Sequence, residues 1–247
     1  MGVAIDGIAL TDVSPRSTDT LRRLLAEHGV LIMRDQHIDD DEFLALLRAF
    51  GKPVFTAGET PVPGHPDLNV ITNVGRTTPP RSVFHVDTSY VSHPPAYTAL
   101  RAVRIPAHGG QTLFTNQYRA AQTLPDDVRA RLQGRSIRHV VTGVEPGDAQ
   151  EHEAWHPALR PHSITGRESL YLSTPQRCVE VSGLSAAESR ELIQLLYTHS
   201  TRPANTLRHT WRAGDVVMWD NGCVLHRADH DGVVGDRVMH RGMVLAP

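Results

Sequence analysis

Cysteine is scarce in this chain, which has only Cys178 and Cys223 among its 247 residues. Two thiols cannot form a disulfide framework or a four-thiolate zinc site. Basic residues are equally undistinguished: the net charge is -2 at pH 7, and no block or stripe of arginine could follow a phosphate backbone. These absences exclude a disulfide-rich secreted domain and argue against a nucleic-acid partner.

Long hydrophobic runs are also absent. No apolar stretch approaches the ~20 residues of a membrane span, and the segment 1–15 has no basic or apolar leader character. We therefore expect no membrane association and a reducing, cytoplasmic setting. With 40% hydrophobic residues, one domain over residues 1–247 can bury a core without a structural metal, so any bound metal is expected to be functional. The sequence leaves open whether the chain forms a homo-oligomer.

Short β segments outnumber helices along the chain. Apolar residues recur at helical spacing in four segments: 20–28, 40–50, 117–132 with a break at Pro125, and 185 to about 197. Strand character is found at 69–73, 83–91, 97–103, 112–115, 137–142, 169–173, 215–219, 224–227 and 237–245. No repeated βαβ alternation occurs, which favours a mainly β sandwich or jelly roll with flanking helices. The polar segment 143–161 is predicted to be an irregular lid over a site.

Histidine is the one compositional excess, with 15 residues, and imidazole is the commonest neutral ligand of transition metals. His152, Glu153 and His156 form a literal H-E-x-x-H, which on a helix would bind zinc with the glutamate as general base. Pro157 disfavours helical geometry at His156, and the flanking residues lack an apolar stripe. We therefore favour a charged lid segment and keep a zinc hydrolase as an alternative.

A second pair of candidate ligands is His85 and Asp87. Two residues apart on a predicted strand, they would project from the same face. A third histidine on a later strand would complete a 2-His-1-carboxylate triad, which binds Fe(II) and leaves positions for oxygen and a chelating cosubstrate.

The C-terminal part of the chain supplies that histidine and two arginines. A strand ends at Trp219, a tight turn covers 220–222, His226 follows, and the last strand carries Arg237 and Arg241. Strand alternation directs both arginines to one side, and an arginine that faces the interior needs an anionic partner. A dicarboxylate cosubstrate would meet that need.

The order of these motifs resembles the taurine dioxygenase family of Fe(II)/2-oxoglutarate-dependent oxygenases. The H-x-D at 85–87 is followed by G-G-x-T-L-F at 109–114, W-D-N at 219–221, a histidine, and two arginines four residues apart. The resemblance covers nearly the whole chain and implies a double-stranded β-helix, a cupin-like jelly roll. It also implies a dioxygenase that oxidises, and most simply hydroxylates, an unactivated C–H bond with release of succinate and CO2.

The same resemblance assigns roles to individual residues. It implies three ligands of Fe(II), with 2-oxoglutarate and O2 as cosubstrates: His85, Asp87 and His226. Arg237 and Thr112 would bind the far carboxylate of 2-oxoglutarate. Arg241 would bind the anionic group of the primary substrate, because its buried positive charge remains unpaired after 2-oxoglutarate has paired with Arg237. His230 is a rival third ligand, for which we favour a solvated loop.

The chain departs from the family at the substrate positions. Thr56 and Glu59 stand where the family's taurine dioxygenase has histidine and tyrosine, Arg81 stands in place of an asparagine, and Gly222 replaces an arginine. Taurine is therefore disfavoured, although Arg81 and Glu59 also fit a solvated loop pair. We expect a small carboxylate, sulfonate or sulfate, with Glu59 or lid acids receiving an amino group if the substrate resembles an amino acid.

Two alternatives stay open at this point. Within the same chemistry, the reaction could be desaturation or multi-step oxidation of an amino-acid-like substrate. Outside it, the chain could be a non-catalytic jelly roll that binds a small anion, or the zinc hydrolase already considered.

Overall fold

A computed structural model describes residues 1–76, 83–148 and 150–247. The α-helices in these ranges are α1 (Pro15–His28), α2 (Asp40–Phe50), α3 (Gln117–Gln122), α4 (Asp126–Leu132) and α5 (Ala186–Ser200). The strands are β1 (Val3–Ile5), β2 (Val30–Met33), β3 (Lys52–Val54), β4 (Pro61–Val62), β5 (His65–Thr72), β6 (Tyr97–Arg104), β7 (Thr112–Asn116), β8 (Ser136–Val140), β9 (Glu153–Pro157), β10 (Leu159–Pro161), β11 (Glu168–Leu170), β12 (Cys178–Val181), β13 (Thr206–His209), β14 (Val216–Asp220), β15 (Val224–Ala228) and β16 (Val238–Leu245).

The helix ends follow from capping residues. The prediction for α2 is confirmed: Asp39 and Glu42 form a reciprocal capping box at its start, and Gly51 follows its last residue. Helix α1 begins five residues earlier than predicted, at Pro15 rather than position 20. The missed signal is the Ser14-Pro15 pair, in which the serine hydroxyl accepts a hydrogen bond from a backbone N–H of the first turn.

The fold is built around two sheets that pack face to face. The larger has the strand order β1-β2-β14-β6-β16-β5-β4, with β3 added to β16, and the smaller has the order β13-β7-β15. Alternate residues of the large sheet, such as Leu31 and Met218, pack against α1 and α2. The intervening residues, such as Val217 and Trp219, pack against Phe114 of the small sheet. Burial on both faces explains why β2 and β14 are continuous apolar runs.

The predicted fold class is confirmed as a mainly β jelly roll with flanking helices, although its sheets do not close. The remaining strands form a β12-β8-β9 sheet and a β10-β11 pair, which share a second core with α3, α4 and α5. Among the described residues, no helix has both the length and the apolar character that crossing a membrane demands.

The predicted strand over 83–91 is wrong. Only His85 is bridged to another segment, and turns follow from Asp87 onward. Thr88 has a positive φ of 48°, which a regular strand cannot include. The reason given for bringing His85 and Asp87 together, a shared strand face, is therefore incorrect.

The predicted irregular lid over 143–161 is wrong in its second half. Strand β9 pairs with β8, and β10 pairs with β11. Ala154 and His156 of β9 are buried whereas Glu153, Trp155 and Pro157 are exposed, so the strand alternation becomes visible only if the histidine is counted among the buried residues. Irregular structure remains at 143–148 and 150–152.

Buried His139 makes the stability of the fold sensitive to acid. Its Nδ1 lies 2.9 Å from the Ser89 hydroxyl, and burial holds its pKa well below the ordinary 6.5. As the pH falls below that ordinary value, the unfolded chain takes up a proton that the folded chain does not. The free energy of unfolding should therefore fall by up to about 1.4 kcal/mol per pH unit from this site.

Urea unfolding across the range from about pH 7 to about pH 5 measures this effect. We expect His139→Gln to reduce the pH slope, because glutamine does not titrate. His152→Gln, which replaces an exposed histidine, should leave the slope as it is. A slope unchanged in His139→Gln would contradict the prediction.

Candidate active site

The three predicted metal ligands meet between the two sheets. His85 and His226 form an antiparallel bridge in which each backbone N–H donates to the other residue's carbonyl at 3.0 Å. The Nε2 atoms of His85 and His226 lie 3.6 Å and 3.7 Å from the two carboxylate oxygens of Asp87. Among the described residues, this is the one group of three or more potential ligands whose atoms all lie within 4.8 Å of one another.

The protonation states of these side chains suit a divalent cation. His85 Nδ1 lies 2.9 Å from the Val83 carbonyl oxygen, which only accepts, so Nδ1 carries the proton and Nε2 presents its lone pair. Burial lowers the pKa of His226 to about 3, which keeps that ring neutral. Burial alone would raise the pKa of Asp87, but the adjacent Arg241 guanidinium holds it well below its ordinary value. Two imidazoles and one carboxylate are the donor set typical of a facial non-haem Fe(II) site.

A chain of hydrogen bonds fixes the orientation of Asp87. The Thr98 hydroxyl donates to Asp87 Oδ2 at 2.9 Å, and Asn221 Nδ2 donates to the Thr98 hydroxyl at 2.8 Å. Trp219 Nε1 in turn donates to Asn221 Oδ1 at 3.1 Å. The W-D-N motif, on the strand next to that of Thr98, thus supports the candidate metal ligand Asp87. Sequence reasoning missed Thr98, since nothing distinguishes it from other strand threonines.

Arg237 is a buried cation without a carboxylate partner. Its side chain is 1% exposed, Nε donates to the Gly110 carbonyl at 2.9 Å, and Nη2 donates to the Thr112 hydroxyl at 3.3 Å. Within the described part of the chain, no ion pair includes Arg237, and burial lowers its pKa to about 10. An uncompensated buried charge is costly, so this geometry calls for an anionic ligand.

The second glycine of the G-G-x-T-L-F motif, Gly110, makes room for that arginine. Gly110 has a positive φ of 71°, and a Cβ there would lie 3.0 Å from Arg237 Cδ and 2.8 Å from Pro106 Cγ. A larger residue would displace the guanidinium from Thr112. The space that the Arg237 side chain needs therefore explains why this motif has a glycine next to the anion site.

The expectation that the buried charge of Arg241 is unpaired is wrong, because its guanidinium contacts two carboxylates. Nη1 donates to Asp87 Oδ1 at 3.1 Å, and Nη2 donates to the carboxylate of Glu59. Glu59 is not part of a solvated loop pair: it lies in the cavity wall, where burial raises its pKa against the opposing effect of Arg241. Arg81 lies outside the described residues.

One cavity of about 600 Å³ between the sheets is lined by the candidate metal ligands and by the groups around the two arginines: His85, Asp87, His226, Glu59, Thr112, Arg237 and Arg241. Thr56 and Tyr90 form part of its wall, and so do residues 142–144, where the irregular segment 143–148 begins. His230 also lines the cavity and is half-buried, so the predicted solvated loop is wrong there. It is not part of the cluster of candidate ligands whose atoms lie within 4.8 Å of one another.

The zinc hydrolase alternative is contradicted. Glu153 and His156 lie on strand β9, not on a helix. His156 is buried with Nε2 2.9 Å from the Ser89 carbonyl, whereas His152 is exposed with Nε2 3.1 Å from the Gly147 carbonyl. The two imidazoles thus form separate hydrogen bonds and do not converge on an ion.

Comparison with known proteins agrees with this geometry. The model of the taurine catabolism dioxygenase TauD, TfdA family matches residues 1–243. The chain belongs to this family. The resemblance predicted from the motifs is confirmed, and with it the expectation that this family member is an enzyme of the dioxygenase class.

Individual relatives align with this chain over almost its full length. It is 29% identical to the alpha-ketoglutarate-dependent 2,4-dichlorophenoxyacetate dioxygenase of Burkholderia sp. (strain RASC), over 98% of this chain and 90% of the relative. It is 28% identical to the alpha-ketoglutarate-dependent sulfate ester dioxygenase of Pseudomonas putida, over 98% and 85%. A crystal structure of a taurine dioxygenase from Burkholderia xenovorans superposes with a TM-score of 0.86 at 31% identity, over 100% of this chain and 88% of the other.

Proposed function

We propose that this protein is an Fe(II)- and 2-oxoglutarate-dependent dioxygenase that hydroxylates an unactivated C–H bond of a small anionic substrate, with release of succinate and CO2. The observation that carries the proposal is the convergence of His85, Asp87 and His226 in the same cavity as Arg237, a cation that has no carboxylate partner among the described residues. Neither feature has a structural purpose that would explain the cost of burying it. Together they match a redox metal and a dicarboxylate cosubstrate.

The contacts suggest a separate role for each group of residues in the cavity. His85, Asp87 and His226 would hold iron, which with 2-oxoglutarate and O2 supplies the oxidising power for C–H cleavage. Arg237 and the Thr112 hydroxyl would bind the far carboxylate of 2-oxoglutarate, since a buried carboxylate needs both a cation and a further donor. The side chains that line the cavity between the two sheets would exclude water and orient the target carbon of the substrate.

The substrate class rests on Arg241 and on the relatives. Arg241 lies beside Asp87, so an anion bound to it would place the substrate next to the metal. The relatives' named substrates, 2,4-dichlorophenoxyacetate and sulfate esters, each combine an anionic group with a carbon skeleton. We therefore assign Arg241 to the substrate's anion.

Following succinate formation over a panel of small carboxylates, sulfonates and sulfates identifies the substrate. With that substrate, we expect Arg241→Gln to raise KM by about 30-fold or more, because a desolvated charge contact is lost. Substrate-independent decarboxylation of 2-oxoglutarate should persist in this variant. Arg104→Gln, an exposed arginine paired with Asp236, is the matched control and should behave as the parent.

Two results would contradict these roles. An unchanged KM in Arg241→Gln, or loss of 2-oxoglutarate binding in that variant, would show that Arg241 has another role. Absence of succinate from every iron-loaded sample would instead favour the non-catalytic anion-binding protein.

A further inference from the structure

We propose that Trp211 is a positioning residue for the cosubstrate: its indole N–H fixes the direction in which the Thr112 hydroxyl donates, so that this hydroxyl serves the far carboxylate of 2-oxoglutarate. The inference rests on the proposed function and adds a residue that lies behind the cavity wall. Trp211 is buried in the connection between β13 and β14, and it is not one of the described residues that line the cavity.

The starting observation is that two groups donate to one hydroxyl oxygen. Trp211 Nε1 lies 3.0 Å from Thr112 Oγ1, and Arg237 Nη2 lies 3.3 Å from the same atom. An indole N–H and a guanidinium only donate hydrogen bonds, whereas a hydroxyl has two lone pairs and one hydrogen. Both lone pairs of Thr112 Oγ1 are therefore occupied, and its hydrogen has to point in a third direction.

No protein group in the described part of the chain accepts that hydrogen. The hydrogen bonds of Thr112 Oγ1 among these residues are the two that it accepts from Trp211 and Arg237. Thr112 is 1% exposed and lines the cavity together with Arg237. A buried donor without an acceptor is unfavourable. A carboxylate bound by Arg237 supplies the acceptor that the Thr112 hydroxyl lacks.

The indole gives this hydroxyl a fixed polarity. A threonine hydroxyl with free lone pairs turns to suit its neighbour and either donates or accepts. With Trp211 and Arg237 both donating to it, the Thr112 hydroxyl can only donate to a ligand. The guanidinium of Arg237 also only donates, so this end of the cavity offers donors alone. It therefore selects a 2-oxo acid whose far end is an acceptor of negative charge.

Further contacts hold the indole in place from the side away from Thr112. The His209 ring packs edge-to-face on Trp211, with 4.7 Å between the ring centroids. His209 Nε2 lies 3.1 Å from Asp215 Oδ2, and Arg34 donates to the same oxygen. The Arg237 guanidinium carbon lies 5.9 Å from the centroid of the Trp211 ring. Trp211 thus contacts both donors of the cosubstrate site, Thr112 through its N–H and Arg237 through its ring.

The test compares two ligands that differ only at the far end. 2-Oxoglutarate has a carboxylate there, and 2-oxopentanoate has a methyl group in its place. Binding of each ligand to the Fe(II)-loaded protein is measured by anaerobic calorimetry, and the ratio of the two Kd values gives the preference for the carboxylate.

The central variant is Trp211→Phe, which removes the N–H and keeps an aromatic ring beside Arg237. Thr112→Val removes the hydroxyl, Thr112→Ser retains it, and a double variant combines Trp211→Phe with Thr112→Val. Trp155→Phe is the matched control, because Trp155 lies on β9 and is 43% exposed.

We expect Thr112→Val to lower the preference for the carboxylate by about 10-fold or more, the value of a hydrogen bond to a charged group. Trp211→Phe should lower it by about fivefold, the value of a neutral hydrogen bond, while the Kd of 2-oxopentanoate stays as in the parent. Thr112→Ser and Trp155→Phe should keep the parent's preference. In the double variant, Trp211→Phe should cause no loss beyond that of Thr112→Val, because the hydroxyl through which it acts is gone.

Three results would overturn the inference: equal weakening of both ligands in Trp211→Phe, an unchanged preference in that variant, or a further loss of preference in the double variant. If Trp211→Phe does not fold by circular dichroism, β-(3-benzothienyl)alanine at position 211 provides the same comparison, since it has sulfur in place of the N–H and keeps the two fused rings. Under each of these three results, 2-oxoglutarate binding by the parent leaves the proposed function intact. A parent protein that binds neither 2-oxo acid contradicts the proposed function together with the inference.

Discussion

Asp87→Ala abolishes iron binding and turnover while the protein remains folded. The substitution removes the one carboxylate of the triad, and the two remaining imidazoles, His85 and His226, cannot hold Fe(II) in a facial site. We expect metal affinity to fall by more than about 100-fold, beyond the loss typical of a supporting contact. Anaerobic Fe(II) titration and succinate formation measure the two effects.

The fold should survive because Asp87 faces a cavity and not a hydrophobic core. Arg241 also keeps Glu59 as a partner in the variant. His226→Ala should give the same loss of metal, and Asp236→Ala, at an exposed ion pair outside the site, should bind iron as the parent does. Unfolding of both site variants, or metal binding that persists in Asp87→Ala, would contradict the assignment.

Arg237→Gln weakens 2-oxoglutarate binding by about 3–5 kcal/mol, which corresponds to roughly 150-fold or more in Kd. The reason is that Arg237 is buried and has no carboxylate partner among the described ion pairs, so its binding energy is available to the cosubstrate. Glutamine keeps a donor toward Thr112 but loses the charge. Calorimetric titration of the iron-loaded protein with 2-oxoglutarate measures the change.

Two comparisons make this result specific to Arg237. His152→Ala alters an exposed side chain and should leave 2-oxoglutarate binding unchanged. Arg237→Lys keeps the charge without the planar fork and should fall between the parent and Arg237→Gln. If His152→Ala had the larger effect, the cosubstrate site would have to lie elsewhere.

The sequence was most informative where one local rule decides a residue's direction. The alternation predicted over 237–245 put Arg237 and Arg241 on the same side, and the structure places both in the cavity, although β16 itself begins one residue after Arg237. The capping residues of α2 were equally local. By contrast, His85 and Asp87 converge without sharing a strand, since His85 forms only a bridge and a turn begins at Asp87, which the sequence did not show.

The contacts that define the substrate end could not be predicted, because they join segments far apart in the chain. Glu59 lies 182 residues from Arg241, in a short connection whose composition fits any surface loop. Thr98 reaches Asp87 from a neighbouring strand with no motif around it. Such pairings depend on how the sheets stack, which periodicity alone does not specify.

The most direct test of the metal and cosubstrate site is anaerobic visible spectroscopy. We predict that adding Fe(II) and then 2-oxoglutarate to the protein produces a weak charge-transfer band, and that His85→Ala, folded by circular dichroism, does not produce it. Absence of the band from the folded parent protein, or an undiminished band in His85→Ala, would contradict the claim that His85, Asp87 and His226 hold iron for 2-oxoglutarate.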